Sequence, residues 1–182
     1  MTSRAVLFVP LLCAVGCSPA PAPEPAAPAQ IVQGSLNQVM RGILYPNSNI
    51  IFDVQDKDPA KGVDENDPTS AVHAFNSTYG NWKAVENAAI ALGEAANLVS
   101  MPGRLCENGK PVPLNDPEFQ KGLAALRAIA TESLEGARAA NMEAFLPISD
   151  RLSQACATCH DVYRDRIVGD KPIGIEDRCV KG

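Results

Sequence analysis

Apolar residues recur every three or four positions through four stretches of the chain, a spacing that predicts four amphipathic helices. The first stretch contains Leu36, Val39, Met40, Ile43, Leu44, Ile50, Ile51 and Val54. Pro46 interrupts this stripe, which then resumes in phase, so one bent helix is predicted rather than two unrelated ones. The second stripe comprises Val72, Phe75, Tyr79, Trp82, Val85, Ala89, Leu92, Ala96 and Val99.

The third stripe comprises Phe119, Leu123, Leu126, Ala130, Leu134 and Ala137, and the fourth Phe145, Ile148, Leu152, Ala155, Cys156, Cys159, Tyr163 and Ile167. Thr69 or Ser70 is the predicted cap of the second helix, and Asp116-Pro117 begins the third. Pro147 is expected in the first turn of the fourth helix, and residues 169–182 are expected to be irregular. Alternating strand patterns are few, so the fold class is all-α, an antiparallel up-down four-helix bundle.

The amino terminus predicts export. Residues 1–16 combine Arg4 with a short apolar core, as in a signal peptide, and this core is too short for a mature membrane span. Ala14-Val15-Gly16-Cys17 resembles a bacterial lipobox, so Cys17 is expected to carry lipid, with plain cleavage nearby as the alternative. Residues 17–30 form a Pro/Ala-rich tether, and residues 31–182 one folded domain. The expected location is periplasmic, with a lipid anchor in a bacterial membrane.

The last predicted helix carries Cys156-Ala157-Thr158-Cys159-His160, the C-x-x-C-H signature of covalent c-type haem attachment. Helical spacing puts Cys156, Cys159 and His160 on one side, where two thioethers and an imidazole ligand to iron can act together. A zinc site would need four ligands, and the other cysteines of the domain, Cys106 and Cys179, are singly placed. A thioredoxin-like pair would need a βαβ context, which the pattern lacks.

With the motif in the fourth of four helices, the chain resembles the cytochrome c prime family over about residues 31–168. The run from Cys156 to Arg164 fits the C-x-x-C-H-x-x-Y-R pattern of that family. The resemblance implies one buried haem c with His160 as the proximal iron ligand, and Arg164 as the counterpart of the family's arginine. It also implies electron transfer, or binding of nitric oxide or carbon monoxide. The lipobox, the tether, the extra cysteines and the break at residues 46–49 depart from the family pattern.

In an up-down bundle, the start of helix one, the second loop and the end of helix four lie at the same end. Met40 is therefore a candidate second iron ligand, and Arg41 a candidate partner for a haem propionate. Alternatively Met40 only packs there, or Leu36 or Leu44 covers the iron and leaves its position open. Met101 is a weaker rival, and His73 is expected at the opposite end, on the order of 40 Å away.

The same placement predicts a Cys106–Cys179 disulfide across the haem end, with two separate thiols as the alternative. The net charge of −5 and the lack of a basic run argue against a nucleic-acid partner, and this charge suits docking with basic redox proteins. The family resemblance allows a homodimer. The predicted function is one-electron transfer, and the alternative is nitric oxide or carbon monoxide binding or sensing. No enzymatic activity is expected, since a peroxidase would need a distal acid/base.

Overall fold

A computed structural model describes residues 30–61 and 80–181 of the chain. Its first helical unit is continuous and consists of α1 (Leu36–Val39), a π-helical turn (Met40–Leu44) and α2 (Tyr45–Asp53). A capping box begins the unit: the Ser35 hydroxyl accepts from the Gln38 amide at 3.3 Å, and the Ser35 amide donates to the Gln38 side chain at 2.8 Å. Because α1, the π-helical turn and α2 follow one another without a gap, the predicted continuity of this helix through Pro46 is confirmed.

The π-helical turn lies immediately before Pro46 and has a local cause. Proline has no amide hydrogen and its ring crowds the carbonyl four residues earlier, so the regular α pattern is disfavoured here. The Tyr45 amide instead donates to the carbonyl of Met40, five residues back. The side chain of Asn47 donates to the Ile43 carbonyl at 2.7 Å and satisfies another carbonyl of this turn.

Helix α3 (Trp82–Val99) is shorter than the sequence pattern predicted. The preceding residue, Asn81, has φ 62° and ψ −148°, a conformation that no helix contains, so a continuous helix from Thr69 or Ser70 to Val99 is wrong. The predicted stripe members Val72, Phe75 and Tyr79 lie outside the described residues, as do Thr69 and Ser70.

Helices α4 (Pro117–Ala139) and α5 (Met142–Tyr163) follow. Asp116 caps α4 by accepting from the Glu118 amide at 2.9 Å, with Pro117 as the first helical residue, as predicted. Asn141 caps α5 by accepting from the Ala144 amide at 3.1 Å. This cap starts α5 about one turn earlier than expected, so Pro147 lies inside the helix rather than in its first turn. Pro147 is exposed, and so is Glu143, whose carbonyl would otherwise accept from an amide at position 147.

The chain after α5 is more ordered in its hydrogen bonding than the sequence predicted. Ile167 belongs to β1 (Ile167–Val168), which pairs antiparallel with β2 (Lys171–Pro172). Its side chain is 60% exposed, so the assignment of Ile167 to the buried stripe of the fourth helix is wrong. A 3-10 turn, Ile175–Asp177, follows and leads to Cys179.

Two clusters of buried side chains form the core. One cluster is centred on Ile51, Val85, Leu92, Phe145 and Leu152. The second consists of Leu36, Val39, Val99, Cys106, Val112, Phe119, Leu123, Tyr163 and Cys179. The part of the chain that the structure describes is thus mostly helical with almost no strand, an all-α fold. Among the described helices, none has both the length and the apolar character needed to cross a bilayer.

Candidate functional site

The C-x-x-C-H motif occupies the last two turns of α5, where it borders a cavity of about 620 Å³. Cys156, Cys159 and His160 all line this cavity and are all half-buried. Both thiols are free. The helix therefore brings the three side chains that the motif singles out to one volume, as their spacing of three and four residues predicts.

The walls of the cavity come from several elements. The first helical unit contributes Leu36, Met40 and Leu44, and α4 contributes Phe119, Leu123 and Leu126. Leu92 and Leu152 add further apolar side chains, and polar ones such as Ser48 and Asn108 lie among them. The volume lies within the range of cavities that enclose small molecules and cofactors. The site thus offers an apolar enclosure with two sulfur atoms and one imidazole on the same side.

Gly122 of α4 lies directly against Cys159, and sequence reasoning missed it. A Cβ atom at this position would stand 1.9 Å from Cys159 Sγ and 3.3 Å from its Cβ. The sulfur therefore occupies the space that any side chain at residue 122 would take. A signal was available, because glycine inside a helix destabilises it and so usually has a packing reason.

Burial sets the protonation of the motif. Desolvation raises the pKa of Cys156 and raises the pKa of Cys159 from 9.0 to about 11, so both thiols stay protonated at neutral pH. Desolvation, and then the nearby Arg164 cation, lower the pKa of His160 below its ordinary value. The imidazole is therefore held neutral, which is the form that ligates a metal ion.

Three arginines border the cavity. Arg164 follows the motif, and its Nε lies 2.8 and 2.9 Å from the two carboxylate oxygens of its neighbour Asp165. Arg41, in the π-helical turn, is exposed at the cavity. Arg178, which was not predicted as a site residue, lines the cavity from the tail, and its buried Nε has no hydrogen-bond partner in the part of the chain that the structure describes.

The structure sorts the candidates for the second iron ligand by location. Met40 lines the same cavity as His160, and so do Leu36 and Leu44. Met101 is not among the lining residues, and its sulfur accepts from Arg104 at 3.8 Å. His73 lies outside the described residues. The distance of about 40 Å expected for it assumed a second helix near 30 residues long, whereas the described α3 has 18.

Cys106 and Cys179 also line the cavity, with their sulfur atoms at the bonding distance of 2.05 Å. The Cys179 amide donates to the Tyr163 carbonyl at 3.0 Å, and the Leu36 amide donates to the Leu105 carbonyl at 2.8 Å. These contacts join the tail, the end of α5 and the start of α1 to the loop after α3. The predicted meeting of these segments at the motif is therefore found in the structure.

The cysteine arrangement bears on the zinc alternative. Because the sulfurs of Cys106 and Cys179 are within bonding distance of each other, they do not stand as a second thiolate pair for Cys156 and Cys159. Over residues 30–61 and 80–181, no group of three or more His, Cys, Asp or Glu side chains is arranged to hold a metal ion. The donors at the cavity, two thiols and one adjacent imidazole, match the attachment chemistry of haem c.

Comparison of the chain with protein-family models, with curated proteins and with solved structures gives no match.

Proposed function

We propose that the protein is an exported mono-haem c-type cytochrome that transfers single electrons. The observation that carries the proposal is that Cys156, Cys159 and His160 together border one cavity of about 620 Å³. Two sulfurs and an adjacent imidazole at an apolar enclosure fit a haem attached by two thioethers, with His160 as the proximal ligand. When bound, haem supplies an iron that exchanges one electron between Fe(II) and Fe(III).

The fold that we propose for this function is the antiparallel up-down four-helix bundle of the cytochrome c prime type. Its support is the composition of the second core cluster. Leu36 and Phe119 stand near the starts of α1 and α4, whereas Val99 and Tyr163 end α3 and α5. Starts and ends that alternate along the chain and meet in one cluster are the signature of helices that run up and down in turn.

The apolar walls, the imidazole and two arginines of the cavity have separate proposed roles. The apolar walls exclude water, which limits the solvent rearrangement that accompanies a change of iron charge. Desolvation holds His160 neutral and ready to bind iron. Arg41 is the proposed partner of a haem propionate. Arg164, whose Nε donates to Asp165, is the proposed counterpart of the family's arginine beside the proximal ligand.

The second candidate function is the binding of nitric oxide or carbon monoxide at an open iron position. The observation that favours it is that Leu36 and Leu44 line the cavity beside Met40. If Met40 ligates the iron, the site is six-coordinate and suits electron transfer. If leucine side chains cover that face, no protein atom fills the sixth position.

The optical spectrum of the reduced protein, recorded before and after addition of carbon monoxide, separates the two functions. An electron carrier with Met40 bound keeps an unchanged low-spin spectrum, and Met40→Leu makes it responsive to the gas. An immediate response of the wild-type protein from a high-spin spectrum would reject ligation by Met40 and favour gas binding. Leu126→Ile, which changes another lining side chain without adding or removing a sulfur atom, is the control and should leave the wild-type spectrum unchanged.

Location and partners complete the proposal. The signal-like residues 1–16, a lipid at Cys17 and the tether over residues 17–30 would hold the haem domain at a periplasmic membrane surface. The net charge of −5 suits docking with basic redox proteins, and a homodimer is consistent with the family resemblance. The proposal includes neither an enzymatic activity nor a nucleic-acid partner.

A further inference from the structure

The backbone of Arg178 is fixed by contacts that span about 70 residues of sequence. Its carbonyl accepts from the side chain of Asn108 at 2.9 Å, and the same amide nitrogen donates to the carbonyls of Ile175 and Glu176. The next residue, Cys179, is held by its sulfur to Cys106 and by its amide to the Tyr163 carbonyl. The tail thus presents Arg178 to the cavity from a defined position.

The side chain of Arg178 is only loosely paired. It lines the cavity and is 37% exposed, but its Nε is buried and meets no hydrogen-bond acceptor within residues 30–61 and 80–181. The nearest carboxylate contact is Glu107 Oε2, 4.0 Å from one terminal nitrogen, which is beyond hydrogen-bond length. An unpaired guanidinium N–H at the edge of a cavity can receive a carboxylate of the cavity's occupant, because guanidinium pairs with carboxylate through two parallel hydrogen bonds.

Arg164 differs from Arg178 in this respect. Asp165 already accepts from the Nε of Arg164 through both of its oxygens. A second carboxylate would have to displace Asp165 or share the cation with it. Arg178 is therefore the better placed of these two arginines to receive an anion inside the cavity.

We propose that Arg178, held in place by the Cys106–Cys179 link, binds a carboxylate of the cavity occupant, namely a propionate of the covalently attached haem. This inference rests on the proposed haem function and adds a residue that neither the motif nor the family resemblance assigns. Besides the two thiols of the motif, the other titratable side chains that line the cavity are Arg41, Tyr45, Glu107, His160, Tyr163 and Arg164. Asp165 lies close enough to interact with Arg178 as well.

The test is the midpoint potential of the full-length holoprotein as a function of pH, for the wild type, Arg178→Gln and Arg178→Lys. Loss of the cation lowers the potential where the propionate is ionised, because the ferric iron is then less opposed by positive charge. It also moves the pH-dependent part of the curve upward by about 1 pH unit, the usual effect of an adjacent arginine on a carboxyl group. Arg178→Lys keeps the positive charge but loses the two parallel N–H donors, so its curve should lie between those of the wild type and Arg178→Gln.

Arg166→Gln is the matched control. Arg166 lies in the same tail and also has a buried Nε without a partner, but it does not line the cavity. Its curve should coincide with that of the wild type. Haem-loaded Arg178→Gln with a wild-type curve would overturn the inference and leave the proposed function standing. A wild-type protein without attached haem would instead reject the proposed function itself. Thermal unfolding of Arg178→Lys guards against a loss caused by misfolding, since a folded lysine variant with a wild-type curve also rejects the inference.

Discussion

The free thiols of Cys156 and Cys159 border the same cavity as the Cys106–Cys179 link. Whether these thiols are protonated decides whether they can attack that link. The thiolate is the form that attacks a disulfide, so a free cysteine beside Cys106 and Cys179 endangers their link only when it is deprotonated. Desolvation raises the pKa of both Cys156 and Cys159, which keeps them as thiols. Burial thus protects the Cys106–Cys179 link from attack until the thiols of Cys156 and Cys159 react with haem.

This effect predicts slow alkylation of Cys159 in haem-free protein. Its pKa is raised from 9.0 to about 11, so its thiolate fraction at pH 8.5 is smaller in the folded chain than in the unfolded chain. We expect iodoacetamide to react with folded Cys159 at least about tenfold more slowly than with the urea-unfolded protein. Peptide mapping after timed quenching measures this rate, which should rise as pH increases from 9 toward 11. Equal rates in the two states would contradict the burial of the thiol.

Gly122 provides the second prediction at this scale. Gly122→Ala would bring a Cβ atom to 1.9 Å from Cys159 Sγ, so the sulfur must leave its position. We expect most of the attachment at Cys159 to be lost, measured as haem-bearing peptide per chain. Gly93→Ala is the control, because its Cβ would meet only Ala130 at 3.6 Å, an ordinary contact. Equal haem content in the two variants would show that the close approach of Gly122 has no role in attachment.

The π-helical turn is the element that the sequence described least well. Pro46 predicted an interruption of the regular helical hydrogen bonds, and the in-phase stripe correctly predicted a continuous helix. The accommodation by a five-residue hydrogen bond from Tyr45 to Met40 could not be read from hydrophobic spacing, because one inserted residue hardly changes a short stripe. The turn therefore determines the direction in which the side chains of α1 and Met40 point relative to those of α2.

Deletion of Gly42 tests the role of this turn. Removing one residue would close the π-helical turn into a regular α-helical turn, which keeps Leu36, Val39 and Met40 on the same face of the unit but moves them by about 1.5 Å along its axis. We expect a loss of about 1–3 kcal/mol in the free energy of unfolding, since Leu36 and Val39 are buried and must shift within a packed core. We also expect an altered absorption spectrum of the haem. The control is Gly42→Ala, whose Cβ would meet nothing within 4 Å. A deletion variant that matches this control in both measurements would refute the structural role of the turn.

Other helix ends show which features the sequence pattern carries. The start of α4 was predicted from Asp116-Pro117, because a cap and a proline in the first turn act locally. The start of α3 was predicted wrongly because the apolar spacing in the sequence continues on the N-terminal side of Trp82. The end of α5 was predicted wrongly because Ile167, in β1, continues the apolar spacing of the helix. Apolar spacing alone does not distinguish a buried helical residue from an exposed one in a neighbouring strand.

At the scale of the whole molecule, the cavity is closed by segments that are remote in sequence. The motif and Met40 were predicted to meet because both belong to helix ends at the same side of a bundle. Arg178 and Gly122 were not predicted, because their placement depends on the path of the tail and on the contact between α4 and α5. Local signals therefore identified the reactive groups, and tertiary packing supplied their surroundings.

The Cys106–Cys179 link carries the prediction at this scale. It joins residues 73 positions apart, so its removal by Cys106→Ser and Cys179→Ser together frees a long segment of the unfolded chain. We expect the free energy of unfolding, measured by urea titration, to fall by about 2–4 kcal/mol. Mild reductant should lower wild-type stability by a similar amount without releasing haem, because thioethers resist thiol reductants. Unchanged stability in both experiments would contradict a structural role for the link.

The proposed electron transfer requires haem that is covalently attached to Cys156 and Cys159. The mass of the protein after expression in a host with c-type cytochrome maturation, followed by peptide mapping under denaturing conditions, tests this attachment. We expect one haem per chain on the peptide that contains Cys156 and Cys159, with both thiols blocked to alkylation. Colourless protein in which both thiols react freely would contradict it.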